Sequence, residues 1–299
     1  MDWLIIVIIA YFFNSLAMII DKALLKKSIP EPVVYTFYIG VLGLIFIPFL
    51  LPFGFALLGI KLILFSLFSG IFFIIALLLF FQALKDDDAS QVIPLIGGLN
   101  PIAILVFAYF LIGERLSFLE LLALGFIISG SIIITIKHGR DGMRLSSQML
   151  KLGLVSALFF GLSFVLAKLT YLETTFINGF IWTRLGALLA VFSLVFAPSY
   201  RRLIFKNTKK TRQSIKFIFL VGQALAGISF FMVNYAISLG SVTLTNALQG
   251  LQYAFLFILI IIISKQYPEI LEEKINTKII FQKILAIILI SLGLAFIAF

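Results

Sequence analysis

The sequence predicts an all-α integral membrane protein: ten transmembrane helices, as two inverted five-helix repeats. Three observations predict it. Of the 299 residues, 62% are hydrophobic and only 12% charged, and mean hydropathy is +1.19. A soluble domain of this size cannot hide so much apolar surface. Ten apolar runs follow one another at 4–20, 33–51, 62–83, 92–112, 119–136, 152–169, 176–196, 217–237, 242–263 and 279–299. Each is 17 to 22 residues long, the length of one helix crossing a bilayer. The chain also echoes itself. AYFFNSLAMIIDK from Ala10 is similar to ALFFGLSFVLAKL from Ala157, an offset of 147. ALKDDDASQVIPLIGG from Ala83 can be laid on AISLGSVTLTNALQGL from Ala236, an offset of 153 that matches Gly97 to Gly250. Five is odd, so two five-span units have opposite orientations in the membrane. The units are 1–136 and 152–299, joined by a polar loop at 137–151.

The first run starts apolar directly after Asp2, with no basic region and no small-residue cleavage site. It reads as a retained span rather than a signal peptide. Asn14 and Ser15 lie in its middle. The third run ends at Asp86, Asp87 and Asp88, read as a solvated loop rather than a divalent-cation site because no other ligands lie nearby. The fourth carries Pro94, Gly97, Gly98, Asn100 and Pro101 in its first half. Each proline removes a backbone donor and crowds the preceding turn. In hydrocarbon the freed carbonyls need protein or water partners. A distorted helix, its distorted half facing the interior, is the expectation. Asn100 follows Gly97 by three residues and shares its face.

The sixth run ends near Lys168, and the seventh holds Trp182 and Arg184. The eighth has Gln223 in its first half and ends at Asn234 and Tyr235. The ninth carries Thr245, Asn246, Gln249, Gln252 and Tyr253. Thr245, Gln249 and Gln252 share one face of an unbroken helix, flanked by Asn246 and Tyr253.

A net charge of +10 does not point to nucleic acid here, because the Lys and Arg lie in short loops between apolar runs. Cysteine is absent and His138 is the single histidine. Thiolate or histidine metal sites and a catalytic triad therefore lack material; no cofactor, metal or enzymatic activity is expected. Of the 23 Lys and Arg, Arg184 is within a span. Lys61, Arg115 and Lys168 fall on one side of a ten-span chain, and all the others fall on the opposite side. The positive-inside rule then makes the basic loop at 201–216 cytoplasmic and both termini external. That loop also suits anionic lipid headgroups.

Ten spans in two fives, Lys168, Arg184, and a proline-bearing fourth span followed by GERL at 113–116 together resemble the drug/metabolite transporter superfamily, EamA type. The resemblance runs over the whole chain, and GERL is its best local marker. It departs from the pattern at Phe37, where the first repeat offset would place an Arg. The second half also lacks the prolines and stretches its acidic marker into YPEILEEKI. The resemblance implies a small-molecule transporter in a cell membrane, with cytoplasmic termini, against the charge pattern.

Arg184 is the sharpest single residue. A mid-membrane Arg costs roughly 2.5–3.5 kcal/mol on insertion scales, so it must face the interior and find a partner. That partner is either an anionic substrate group or helix carbonyls that lock the halves together. The amides and hydroxyls of the ninth span offer donors and acceptors to a zwitterion or polyol. Asn14, Gly97, Asn100, Trp182, Arg184, Asn234, Thr245, Gln249, Gln252 and Tyr253 form the expected substrate site. The expected function is alternating-access transport of amino acids or related organic anions by a monomer or homodimer in contact with lipid. A lipid-linked headgroup flippase and a non-transporting scaffold or sensor are the alternatives. No Asp or Glu lies deep in a span, which disfavours export of cationic drugs through a buried carboxylate.

Overall fold

A computed structural model describes residues 2–25, 31–86, 89–135, 146–206, 213–266 and 277–298. Asp87, Asp88, His138 and the EEKI stretch at 272–275 lie outside the described residues. Those described form helices and no strand. In order they are α1 (Asp2–Leu25), α2 (Pro32–Leu42), α3 (Phe46–Leu50) with a 3-10 turn at Leu51–Phe53, α4 (Ile60–Asp86), α5 (Ala89–Leu111), α6 (Phe118–Thr135), α7 (Ser147–Glu173), α8 (Phe176–Phe196), α9 (Pro198–Lys206), α10 (Gln213–Leu239), α11 (Val242–Ala247), α12 (Gly250–Gln266) and α13 (Thr277–Ala298). Among the described residues, eight segments are long and apolar enough to cross a membrane. The fourth and fifth expected runs yield the shorter apolar stretches Leu95–Leu111 and Phe118–Ile134. The protein is a multi-pass, all-helical membrane protein.

Helix ends follow local sequence. Ser146, Thr175 and Ser241 accept from the amides of Met149, Asn178 and Leu244 to start α7, α8 and α11, as N-cap hydroxyls do. SFLE at 117–120 is a reciprocal capping box: Ser117 N donates to Glu120 Oε2 at 2.7 Å and Glu120 N to Ser117 Oγ at 3.3 Å. Gly113, at φ +69°, ends α5 with the left-handed residue such a terminus favours. The next amide, of Glu114, then reaches back to the Ala108 carbonyl at 3.1 Å.

Packing pairs the helices across the two halves of the sequence. α1 packs on α10 and also on α12, while α4 and α5 both pack on α7. Small polar residues make the α4–α7 contact: Ser69 Oγ donates to Ser163 O at 2.7 Å and Ser156 Oγ to Ala76 O at 2.9 Å. α6 and α13 meet along a reciprocal seam. A Cβ on Gly130 would strike Ile290 and Ala286, and one on Gly293 would strike Ile127 and Ala123. The two triplets, Ala123–Ile127–Gly130 and Ala286–Ile290–Gly293, have identical spacing.

One expectation about helix continuity is corrected. The fourth run, with its prolines, forms one continuous helix, α5. The ninth run, without proline, is broken at Leu248 and Gln249 into α11 and α12. Thr245, Gln249 and Gln252 therefore do not share one helical face.

Candidate functional site

The first polar cluster forms around the break in the ninth run. There the Gln249, Leu251 and Gln252 amides donate to carbonyls three residues back, at Asn246 (3.1 Å), Leu248 (2.9 Å) and Gln249 (3.0 Å). The Thr245 carbonyl instead takes the Tyr11 hydroxyl of α1 at 3.1 Å. One turn further along α1, Asn14 Nδ2 donates to Gln252 Oε1 at 2.6 Å, and Gln252 Nε2 points at Met18 Sδ. From α5, Gly97 faces Tyr253 so closely that an added Cβ would sit 3.5 Å from the tyrosine oxygen. Asn100 Oδ1 and Thr245 Oγ1 are buried and have no hydrogen-bond partner among the described residues. Asn246 serves its own helix, donating to Val242 O at 2.9 Å. Gln249 is half-buried at the break itself.

The second cluster centres on Arg184 in α8. Close glycine contacts press this helix onto α4: a Cβ on Gly186 would fall 2.2 Å from Leu67 O. The guanidinium carbon lies 4.2 Å from the Phe230 ring centre, 5.3 Å from Phe180 and 5.4 Å from Phe73. Aromatic faces attract a cation, but they leave its hydrogen-bond donors unused. Arg184 makes no ion pair or hydrogen bond among the described residues, and its Nε is fully enclosed. The residue as a whole keeps partial accessibility. Nearby, Tyr171 OH donates to Asn234 Oδ1 at 3.0 Å, and Asn234 Nδ2 donates to Phe230 O at 2.9 Å. Asn234 thus fixes the turn that presents Phe230 to Arg184.

Trp182 lies apart. Two residues from Arg184 is about 200° around a helix, and its Nε1 donates to Ala56 O at 3.1 Å while its ring stacks on Phe55. It braces the loop before α4 rather than the Arg184 side of the helix.

Some residues that organise the site were not singled out from sequence. Tyr11 and Tyr171 are two: a tyrosine in an apolar run gives no sign that its hydroxyl will meet a broken helix or an amide. Lys168, noted only as a family marker, donates to the carbonyls of Ile237 (2.8 Å), Ser238 (3.3 Å) and Gly240 (2.9 Å). It closes the C-terminus of α10, where unpaired carbonyls favour a cation. Glu114 of the GERL turn accepts from Thr243 Oγ1 at 2.6 Å and so ties the end of α5 to the start of α11.

No curated protein matches the chain. One solved structure, described only as the crystal structure of a protein, superposes with a TM-score of 0.71 at 16% identity. The match covers 99% of this chain and 96% of that one, and it shows a shared fold. Residues 1–136 match the EamA-like transporter family, consistent with the drug/metabolite transporter superfamily that the sequence resembles.

Proposed function

We propose that this chain is a secondary transporter that moves small polar metabolites, amino acids or related organic anions, by alternating access. The observation that carries the reading is Arg184: a half-buried guanidinium among three phenylalanine rings, its Nε enclosed, with no acceptor among the described residues. A structural arginine would spend its donors on carbonyls or an acid. This one keeps them for a carboxylate, which would gain charge-assisted hydrogen bonds in a low-dielectric site. The unpaired Asn100 and Thr245 oxygens are acceptors suited to the amino end of such a substrate. The reciprocal α6–α13 seam and the cross-half pairing of α1 with α10 and α7 with α4 support two inverted units, 1–136 and 152–299, that rock about a central site.

Replacing Arg184 by Gln tests the assignment. A lost charge-assisted hydrogen bond is worth roughly 1.5–3 kcal/mol. Affinity for acidic substrates in proteoliposome flux should therefore fall about ten- to a hundredfold, and neutral amide analogues should be little affected. Equal losses for both ligand classes would make Arg184 structural.

The same proposal places the 201–216 loop in the cytoplasm of a cell with both termini outside, following the charge asymmetry. A cysteine at Glu173 should react with an impermeant maleimide in intact cells, and one at Ser214 should not. The reverse pattern would turn the molecule over.

A further inference from the structure

α4 and α8 touch backbone to backbone at two glycines. A Cβ on Gly70 would fall 2.0 Å from Thr183 O, and one on Gly186 2.2 Å from Leu67 O. Past this contact the facing side chains are larger, with Ile71, Ile75 and Leu78 on α4 opposite Leu189, Ser193 and Leu194 on α8. Between them lies a groove of about 190 Å³. Its lining is hydrocarbon except for the Ser193 hydroxyl, which donates to Ala190 O of its own helix at 2.7 Å. A polar solute finds nothing to bond there, whereas an alkyl chain gains apolar contact. The groove faces outward: Leu189 is 54% exposed, and its neighbour Phe192 51%.

The groove has the length of one leaflet. From Gly186 to the end of α8 at Phe196 the helix rises about 15 Å, half of a hydrocarbon core roughly 30 Å thick. A chain entering from the headgroup end would therefore reach the glycine contact with its methyl terminus. A spanning helix of a second copy would need the full length of α4 and α8, and the groove stops at the glycines. Beyond Phe196 the chain passes through Ala197 into α9, which carries Arg201 and Arg202, both exposed. Neither forms an ion pair among the described residues. α9 packs on α2 and α8 and buries Ile204 against Val33 and Val34, so the helix that bears the arginines is seated at the groove's headgroup end. The planar guanidinium fork matches phosphate. We infer that this groove seats one acyl chain of an anionic phospholipid, whose phosphate meets Arg201 and Arg202.

The chain has no cysteine, so Leu189→Cys carries a single bimane fluorophore at the groove. The control is Ile284→Cys, exposed on α13 and as far from Thr277 as Leu189 is from Phe196. Each protein is reconstituted in phosphatidylcholine with a small fraction of phosphatidylglycerol or phosphatidylcholine that bears a nitroxide on its acyl chain. One basic side chain at the membrane surface favours an anionic lipid about fivefold. At position 189 labelled phosphatidylglycerol should therefore quench at about a five- to thirtyfold lower mole fraction than labelled phosphatidylcholine. At position 284 the two lipids should differ less. Arg201→Gln with Arg202→Gln, both at exposed positions, should bring the two lipids level at position 189 and leave position 284 as it was. Ser193→Phe, which fills the groove, should weaken quenching by both lipids at position 189 alone. Equal quenching by the two lipids at position 189, or the same preference at both positions, would mean ordinary surrounding lipid and overturn the proposal. So would a preference that survives loss of both arginines. Disulfide cross-linking of Leu189→Cys between copies, with no quenching by either lipid, would give the groove to a second copy of the chain and overturn it too.

Discussion

The fourth and ninth runs, which can be laid on one another at an offset of 153, behave in opposite ways. α5 contains Pro94 and Pro101 and stays continuous; the ninth run has no proline and is broken between α11 and α12. Each proline in α5 deletes one amide, leaving the bonds on either side to hold the helix. At Pro101 the crowded carbonyl is that of Gly97, a residue that yields easily. Around Leu248 and Gln249 three amides, those of Gln249, Leu251 and Gln252, change partner. That larger change is stable because other helices complete it, with Tyr11 of α1 covering the Thr245 carbonyl. In a membrane interior, a helix breaks where its neighbours can satisfy the freed groups, and proline by itself does not decide the place.

Four substitutions test this contrast. Tyr11→Phe should have the largest effect. It leaves the Thr245 carbonyl buried and unpaired, at about 1–3 kcal/mol, read as a lower unfolding temperature in detergent. No change would mean that α1 does not support the break. Gly250→Ala should cost about 1 kcal/mol. Its Cβ would lie 2.1 Å from Ser131 Oγ and drive that hydroxyl from its bond to Ile127 O at 2.6 Å. The matching change in the first half, Gly97→Ala, meets only an ordinary 3.5 Å contact with the Tyr253 oxygen. It should be neutral or slightly stabilising, by up to about 1 kcal/mol from helix propensity. Opposite signs for the two glycines are the result to look for in the same melts. Pro101→Ala should do least. It returns one amide to a helix that is already intact, a gain of about 0.5 kcal/mol. A large gain would show that α5 is strained.

How much of this was legible in the sequence depended on the range of the interaction. The helical segments follow from apolar run length, and the inward placement of Arg184 from the cost of burying a charge, although the partner that this cost called for is not found among the described residues. The break did not announce itself, since Gly250 is its one local sign and the hydroxyl that supports it comes from 234 residues away. Trp182 was placed beside Arg184 by proximity in sequence, yet two residues along a helix point to nearly opposite sides. Lys168 could be noticed as a charge near a span end, but the carbonyls of α10 that it serves are brought to it only by tertiary packing.

The α6–α13 seam has a consequence beyond packing. Ala123, Ile127 and Gly130 touch Ala286, Ile290 and Gly293 in a reciprocal pattern, so each surface is the complement of a rotated copy of itself. Such self-complementarity is the condition for a two-fold homodimer. A five-helix ancestor with one such surface would have been able to pair with a second copy. On the proposed two-repeat reading, joining two copies in one chain would replace an encounter that depends on protein concentration with a tethered one at high effective concentration. Once tethered, the two surfaces no longer have to remain identical, and each half is free to change without losing its partner.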